Sequence, residues 1–171
     1  MVPKEEQLDF EELAHETLEE LAELIGVRIP YYPEVHLIDN DTNLERLKLP
    51  NWPIHTQVFK EVAQGKFVAA YLSSANVIIK NRLEDRGIKT VIGEECGHAL
   101  HFMLNPPYDF GRDVIVNFSQ DALEEMFGYF CNKLVYPRRR GGFYWRSILP
   151  ESPTREEVKK VINTLIKDDT Q

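Results

Sequence analysis

The segment from about Leu83 to Leu104 constrains the fold most, because it has the spacing of an α-helix and carries ionisable side chains in its middle. The helix must end at Asn105-Pro106-Pro107, since neither proline can donate a backbone hydrogen bond. Positions four apart lie on one helix face, so Glu94 and His98 can both reach one metal ion. Glu95, one step round the helix, can address a water bound to that ion. This arrangement suits metal-assisted hydrolysis.

Two helices are predicted near the ends of the chain. The first spans about 8–26, and Gly26 is its stop signal. Its apolar positions follow helical spacing: Leu13, Leu18, Leu21, Leu24 and Ile25. The last helix spans about 153–168 and is opened by Ser152-Pro153-Thr154. Its packing stripe consists of Val158, Val161, Ile162, Leu165 and Ile166.

Three short segments are predicted to be β-strands. Glu34–Ile38 alternates between polar and apolar residues, and the β-rich runs 67–72 and 76–80 flank a Ser-Ser-Ala turn and predict a hairpin. Residues 49–53 are expected to be a loop. A further helix at about 122–135 completes the pattern. We therefore expect an α+β fold, with a short, mostly antiparallel sheet packed on the motif helix and on a second helix.

Size and charge limit the classes of protein to which the chain can belong. Its 171 residues, 43% of them apolar, predict one domain over 1–171. A net charge of −8 argues against a general binder of nucleic acid or anionic membrane, because both need a basic surface. The basic run Arg138–Arg140 is the exception, and we interpret it as part of a structured loop that pairs with the acidic surface.

The N-terminal residues and the two cysteines indicate the compartment. Residues 1–6 lack the apolar core of a secretory signal, and no apolar run approaches the roughly 20 residues that span a bilayer. We therefore expect a soluble, cytoplasmic protein. Cys96 and Cys131 are too few for a disulfide framework and are interpreted as two buried thiols. A disulfide between their helices stays open as an alternative.

The motif helix resembles that of a known peptidase family. Val91–Phe102 is similar to the motif helix of the thimet oligopeptidase and oligoendopeptidase family, His-Glu-Phe-Gly-His-Ala-Leu-His, with Glu94 in place of the first His and one changed spacer. The helix that begins near Glu124 is similar to that of the phage-immunity metallopeptidases, in which a Glu is followed three residues later by a small residue. The resemblance covers about 67–137 and implies a zincin-like fold of the gluzincin type.

The resemblance also implies roles for individual residues. His98 becomes a metal ligand, Glu94 takes the place of the missing His, and Glu95 becomes the general base that takes the proton of the water. The expected ion is Zn²⁺, and the oxygen-rich ligand set tilts preference slightly toward Mn²⁺ or Fe²⁺. His101 could substitute as a ligand or orient one through a hydrogen bond.

The ligand from the second helix has two possible positions. Gly128 favours Glu125, because a small residue one turn later lets this helix approach the motif helix closely. The interval from Phe130 to Pro137 instead favours Glu124, which stays open. Hydroxyl donors to a reaction oxyanion also stay open among Tyr71, Tyr108 and Tyr129.

The Glu at position 94 weakens the expected chemistry. Two ligating carboxylates and a neutral imidazole cancel the charge of the ion, so the bound water is less polarised and turnover should fall. We expect a metal-dependent hydrolase of peptides or proteins, with an extended peptide docking on the strand near Val77–Lys80. The alternative is a catalytically attenuated or inactive zincin-like protein that acts as a binding or regulatory module. In the simplest alternative, Glu94 and Glu95 are solvated helix residues, and His98 and His101 are polar groups with ordinary hydrogen-bond partners.

Overall fold

A computed structural model describes residues 2–47, 49, 53–73, 75–84 and 88–104, and the single positions 128, 131, 132, 154, 156, 157 and 160. The elements in these residues are, in chain order, α1 (Lys4–Ile25), β1 (Glu34–Ile38), a short 3-10 helix (Leu44–Leu47), α2 (Pro53–Ala63), β2 (Ala69–Leu72), β3 (Val77–Asn81) and α3 (Ile88–Leu104). This composition confirms the predicted α+β class. None of the helices described is long and apolar enough to span a membrane.

The sheet has the strand order β1-β3-β2 and is mixed. β2 and β3 form the predicted antiparallel hairpin, with Tyr71 opposite Ile78. β1 runs parallel to β3, with Val35 also opposite Ile78, so the expectation of a mostly antiparallel sheet is wrong for this pair. The parallel pairing is possible because α2 lies in the long connection between the two strands. β3 is buried along its whole length, as is typical of a strand that is covered on both faces.

Because β3 is the central strand, the prediction that a peptide docks on Val77–Lys80 is wrong. Val77–Lys80 is paired with β1 on one side and with β2 on the other, so it offers no edge to a peptide. The outer edge of β1 is covered by Gln7 of α1, whose Nε2 donates to the Val35 carbonyl at 2.7 Å and whose Oε1 accepts the Leu37 N–H at 2.8 Å. In the part of the chain that the structure describes, no strand pairs with the outer edge of β2.

The sheet separates two apolar clusters. Ile78 belongs to the cluster that contains residues of α1 and α3, and Ile79 to the cluster that contains residues of α2. Both side chains are fully buried, because neighbouring residues of a strand point to opposite faces. The described residues thus form three layers, in which α3 lies against α1 on one face of the sheet.

The first helix begins earlier than predicted. α1 starts at Lys4, one turn before residue 8, because its first residues bind the rest of the fold. Glu6 pairs with Arg82 at 2.9 Å, and Gln7 holds β1. The predicted end is confirmed, since Gly26 has a φ of 84° and its N–H bonds the Ala22 carbonyl. Only a glycine adopts this left-handed conformation without strain.

Asn81 explains two helix boundaries that local patterns did not predict. α2 begins at Pro53, the residue at which a loop was expected to end. At the other end of α2, Asn81 Nδ2 donates to the last two carbonyls of the helix, those of Val62 and Ala63. Asn81 Oδ1 accepts the N–H groups of residues 83 and 84, which holds them in a turn. α3 therefore begins at Ile88 and not near residue 83.

The two remaining predicted helices are described only at single positions. Residues 128, 131 and 132 are helical, as are 156, 157 and 160. Thr154 Oγ1 accepts the N–H of Glu157 at 3.2 Å, which caps the last helix at its predicted start. The other residues of both helices lie outside the described part of the chain.

Candidate metal site

α3 is enclosed on most of its surface. Among the described side chains of residues 91–104, only Phe102 is exposed. The helix faces α1 through Cys96, whose Sγ donates to the Ala14 carbonyl at 3.4 Å. Glu94, Glu95 and His98 are partly buried. All three keep part of their surface exposed to solvent, so the alternative in which Glu94 and Glu95 are solvated helix residues stays a prediction.

Three polar side chains share one face of α3. His98 follows Glu94 by four residues and precedes His101 by three, so the three side chains are neighbours along the helix. His101 is 5% exposed, whereas Glu94 and His98 are partly buried. Gly97 lies beside this face, at the place where α3 contacts a neighbouring helical segment.

That segment consists of residues 128, 131 and 132, and it meets α3 at two glycines. A Cβ on Gly97 would lie 2.6 Å from Cys131 Cβ and 3.0 Å from Gly128 Cα. A Cβ on Gly128 would lie 2.6 Å from Cε1 of His98. Contacts below 3.0 Å do not occur between real atoms, so a side chain at Gly97 requires the two helices to move apart, and a side chain at Gly128 requires either the His98 ring or the helices to shift. The prediction that Gly128 allows a close approach of the two helices is confirmed.

Glu125 and its alternative Glu124 lie outside the described residues, as does Arg138–Arg140. Among the residues described, no three His, Cys, Asp or Glu side chains lie close enough together to hold a metal ion. The polar side chains of α3 therefore form no ligand set by themselves, and a metal site on this face needs at least one ligand from another part of the chain.

His101 is held in its neutral form. Burial lowers its pKa from 6.5 to about 4, and the neighbouring His98 contributes further, because two positive rings repel each other. At neutral pH the ring therefore carries no charge. A neutral imidazole is the form that ligates metals or orients a ligand through a hydrogen bond.

Both cysteines are free and buried. Burial raises the pKa of the Cys96 thiol, and the nearby Glu95 raises it further. The pKa of Cys131 is raised for the same reason, with Cys96 as the second cause. The interpretation as two buried thiols is confirmed, and the disulfide is not formed.

Tyr71 is the one described tyrosine among the three possible oxyanion donors. Its hydroxyl donates to Asn76 Oδ1 at 2.7 Å, and its ring lies edge-on to Phe102 of α3, 6.2 Å away. Burial raises the pKa of this hydroxyl above its usual value. The group is thus engaged by the hairpin turn. Tyr108 and Tyr129 lie outside the described residues.

Two residues that organise the fold, Gly97 and Gln7, were not predicted from the sequence. Gly97 was treated only as a motif spacer, although the small residues around it in α3 signal close packing of another helix. Gln7 carries no local signal, because its role depends on the distant strand β1. Comparison of the chain with protein-family models, with curated proteins and with solved structures found no match.

Proposed function

We propose that the chain binds one divalent metal ion between α3 and the helical segment at Gly128 and hydrolyses peptide bonds there. Glu94, His98 and Glu125 hold the ion, with Glu124 and His101 as the alternative ligands. Zn²⁺ fits this set of two carboxylates and one imidazole, and Mn²⁺ or Fe²⁺ fits it as well. The ion supplies Lewis acidity at a position left open to water and substrate.

One observation carries this proposal. The His98 imidazole lies against Gly128, where the segment that contains Gly128 meets α3. Glu125 and Glu124 precede Gly128 by three and four residues, so a continuous helix places them on the same face as Gly128. In the proposal, a carboxylate on that face reaches the ion that His98 binds.

The environment of α3 also supports a bound cation. Glu94 and Glu95 are both partly buried, and a further carboxylate from the second helix would add a third negative charge. Like charges in a partly buried site repel each other and destabilise the fold unless a cation, a proton or another polar group of the chain compensates them. A divalent ion relieves this repulsion. Glu95, adjacent to Glu94 but one step round the helix, accepts the proton of the attacking water.

The outer edge of β2 is the edge on which an extended peptide docks. β3 is central, and Gln7 covers the outer edge of β1. The contact between Tyr71 and Phe102 shows that β2 runs beside α3. A peptide that adds to β2 through main-chain hydrogen bonds therefore passes along the helix that carries Glu95.

Elemental analysis of the chain, purified without a metal-binding tag, tests the metal site. We expect one divalent metal per chain, lost in His98→Ala and retained in His36→Ala. His36 is a matched control because it is also a partly buried histidine, but it lies on β1 and pairs with Glu34 at 3.2 Å. A metal-free protein, or a His98→Ala variant that keeps its metal, contradicts the proposal.

A further inference from the structure

The contact between Gly128 and His98 has a defined orientation. The Cβ position of Gly128 lies 2.6 Å from Cε1, 2.8 Å from Nε2 and 2.9 Å from Nδ1 of the ring. If this point lay in the ring plane beyond Cε1, both nitrogens would be much farther from it than Cε1 is. The similar distances place the point over the face of the ring, above the edge that contains both nitrogens.

The ring therefore lies flat against Gly128. Imidazole lone pairs lie in the ring plane, so neither nitrogen of His98 is directed at the glycine. The contact restrains the plane of the ring without itself occupying either nitrogen. Any larger residue at position 128 would place its Cβ within 3 Å of three ring atoms.

We infer that Gly128 is a positioning residue for His98, because its bare Cα fixes the plane of the imidazole and with it the direction of both nitrogens. This inference rests on the proposed function, since that direction matters where His98 binds a metal ion. Metal ligands are usually oriented by hydrogen bonds from a second set of residues. Here the backbone of a packed helix also restrains the ring.

Gly97 makes the close contact at Gly128 possible. Its Cβ position lies 3.0 Å from Gly128 Cα and 3.2 Å from the Gly128 carbonyl oxygen. The absence of a side chain at residue 97 lets the backbone of residue 128 come close to α3, and the next residue of α3 places its ring on that backbone. Gly97 therefore allows the two helices to approach each other closely, and the adjacent His98 places its ring against the backbone of the second helix.

An NMR measurement on the metal-free full chain tests the ring orientation directly. Protons above the face of an aromatic ring resonate upfield, so we expect an upfield shift of the Gly128 Hα resonances. The shift should disappear in His98→Ala. An ordinary Gly128 Hα position in the unmodified chain overturns the inference, whether or not metal binds.

A Co²⁺ titration tests the consequence for metal binding, because the visible absorption of Co²⁺ reports its ligand geometry. Gly128→Ala should weaken Co²⁺ binding roughly 10- to 100-fold, the usual effect of losing a group that orients a ligand. Val62→Ala is the control for general destabilisation, since Val62 is fully buried in the cluster on the other face of the sheet. Its Co²⁺ affinity should equal that of the unmodified chain.

The outcomes separate the inference from the proposed function. A folded Gly128→Ala variant with unchanged Co²⁺ affinity overturns the inference and leaves the metal site standing. A chain that binds no Co²⁺ but shows the shifted Gly128 resonance overturns the metal site and supports the ring orientation. If Gly128→Ala does not fold, the NMR comparison with His98→Ala still decides the inference.

Discussion

Glu95 is the residue on which the proposed chemistry depends. It is partly buried and lies next to Glu94 on α3. Glu95→Gln keeps the shape of the side chain but cannot accept a proton, so peptide hydrolysis should fall by roughly 10²- to 10⁴-fold while metal content is unchanged. Peptide cleavage and metal content are measured on the same preparation. Glu16→Gln, at an exposed position of α1, is the control, and undiminished hydrolysis in Glu95→Gln removes Glu95 from the mechanism.

His101 should make the stability of the protein depend on pH. Its pKa is about 4 in the folded chain against an ordinary value of 6.5, so between these values the unfolded chain binds more protons. The free energy of unfolding is therefore greatest above the ordinary pKa and falls as the pH drops toward about 4, by up to roughly 3 kcal/mol.

Urea unfolding at a series of pH values measures this dependence. His101→Gln removes the titrating group, so the loss of stability between neutral and acidic pH should be smaller in that variant. The change in unfolding free energy with pH is compared within each protein, so a general effect of the substitution on stability cancels. An equal loss in both proteins contradicts the assignment to His101.

Gln7 connects helix α1 to the outer edge of the sheet, which is formed by β1. It bonds one carbonyl and one N–H of β1 and also donates to Glu11 at 2.9 Å. Gln7→Ala leaves the two β1 groups without this partner and should lower the free energy of unfolding by roughly 1–3 kcal/mol. The exposed Glu12→Ala on the same helix is the matched control and should change stability little.

Hydrogen exchange gives this prediction a local measurement. The Leu37 N–H donates to Gln7 Oε1, so its exchange should become faster in Gln7→Ala. The N–H of Arg82, which bonds the Ile38 carbonyl, should keep its protection relative to global stability. Unchanged protection at Leu37 indicates that another group covers this edge.

Local patterns predicted those elements that local interactions determine. The hairpin, β1 and the end of α1 follow from alternation, turn residues and a left-handed glycine, and all three are confirmed. The turn before α3 and the helix α2 were not predicted, although the turn is local and His55, Phe59 and Val62 of α2 are buried at helical spacing. The parallel pairing of β1 and the end of α2 depend instead on contacts between residues far apart in the sequence. Asn81, for example, closes α2 from 18 and 19 residues away in sequence.

The candidate site also combines features that local sequence patterns predict with features that depend on the packing of distant segments. The spacing of Glu94 and His98 and the small size of Gly128 were readable in the sequence, because helix periodicity is local. The role of Gly97 and the flat contact of the His98 ring were not, since both depend on how two helices cross. The ligand choice between Glu125 and Glu124 stays a prediction, because both lie outside the described residues.

The negative charge of the chain determines how a bound cation affects its stability. The net charge is −8, and two carboxylates of α3 are partly buried. An ion bound only by the folded chain stabilises it in proportion to the logarithm of ion concentration over its dissociation constant. Metal removal should therefore lower the melting temperature as well as any activity.

Glu94→His decides whether the molecule is a weakened hydrolase or a binding module. The substitution restores a two-histidine, one-carboxylate ligand set with one net positive charge, so a coordinated water should lose its proton more readily and peptide hydrolysis should rise. Glu94→Gln is the matched control, because it makes the same change in charge but offers only a weak ligand, and it should bind metal less tightly without a gain in hydrolysis. If Glu94→His binds Zn²⁺ but stays inert, charge at the ion is not what limits turnover, and the binding or regulatory module becomes the better account of the fold.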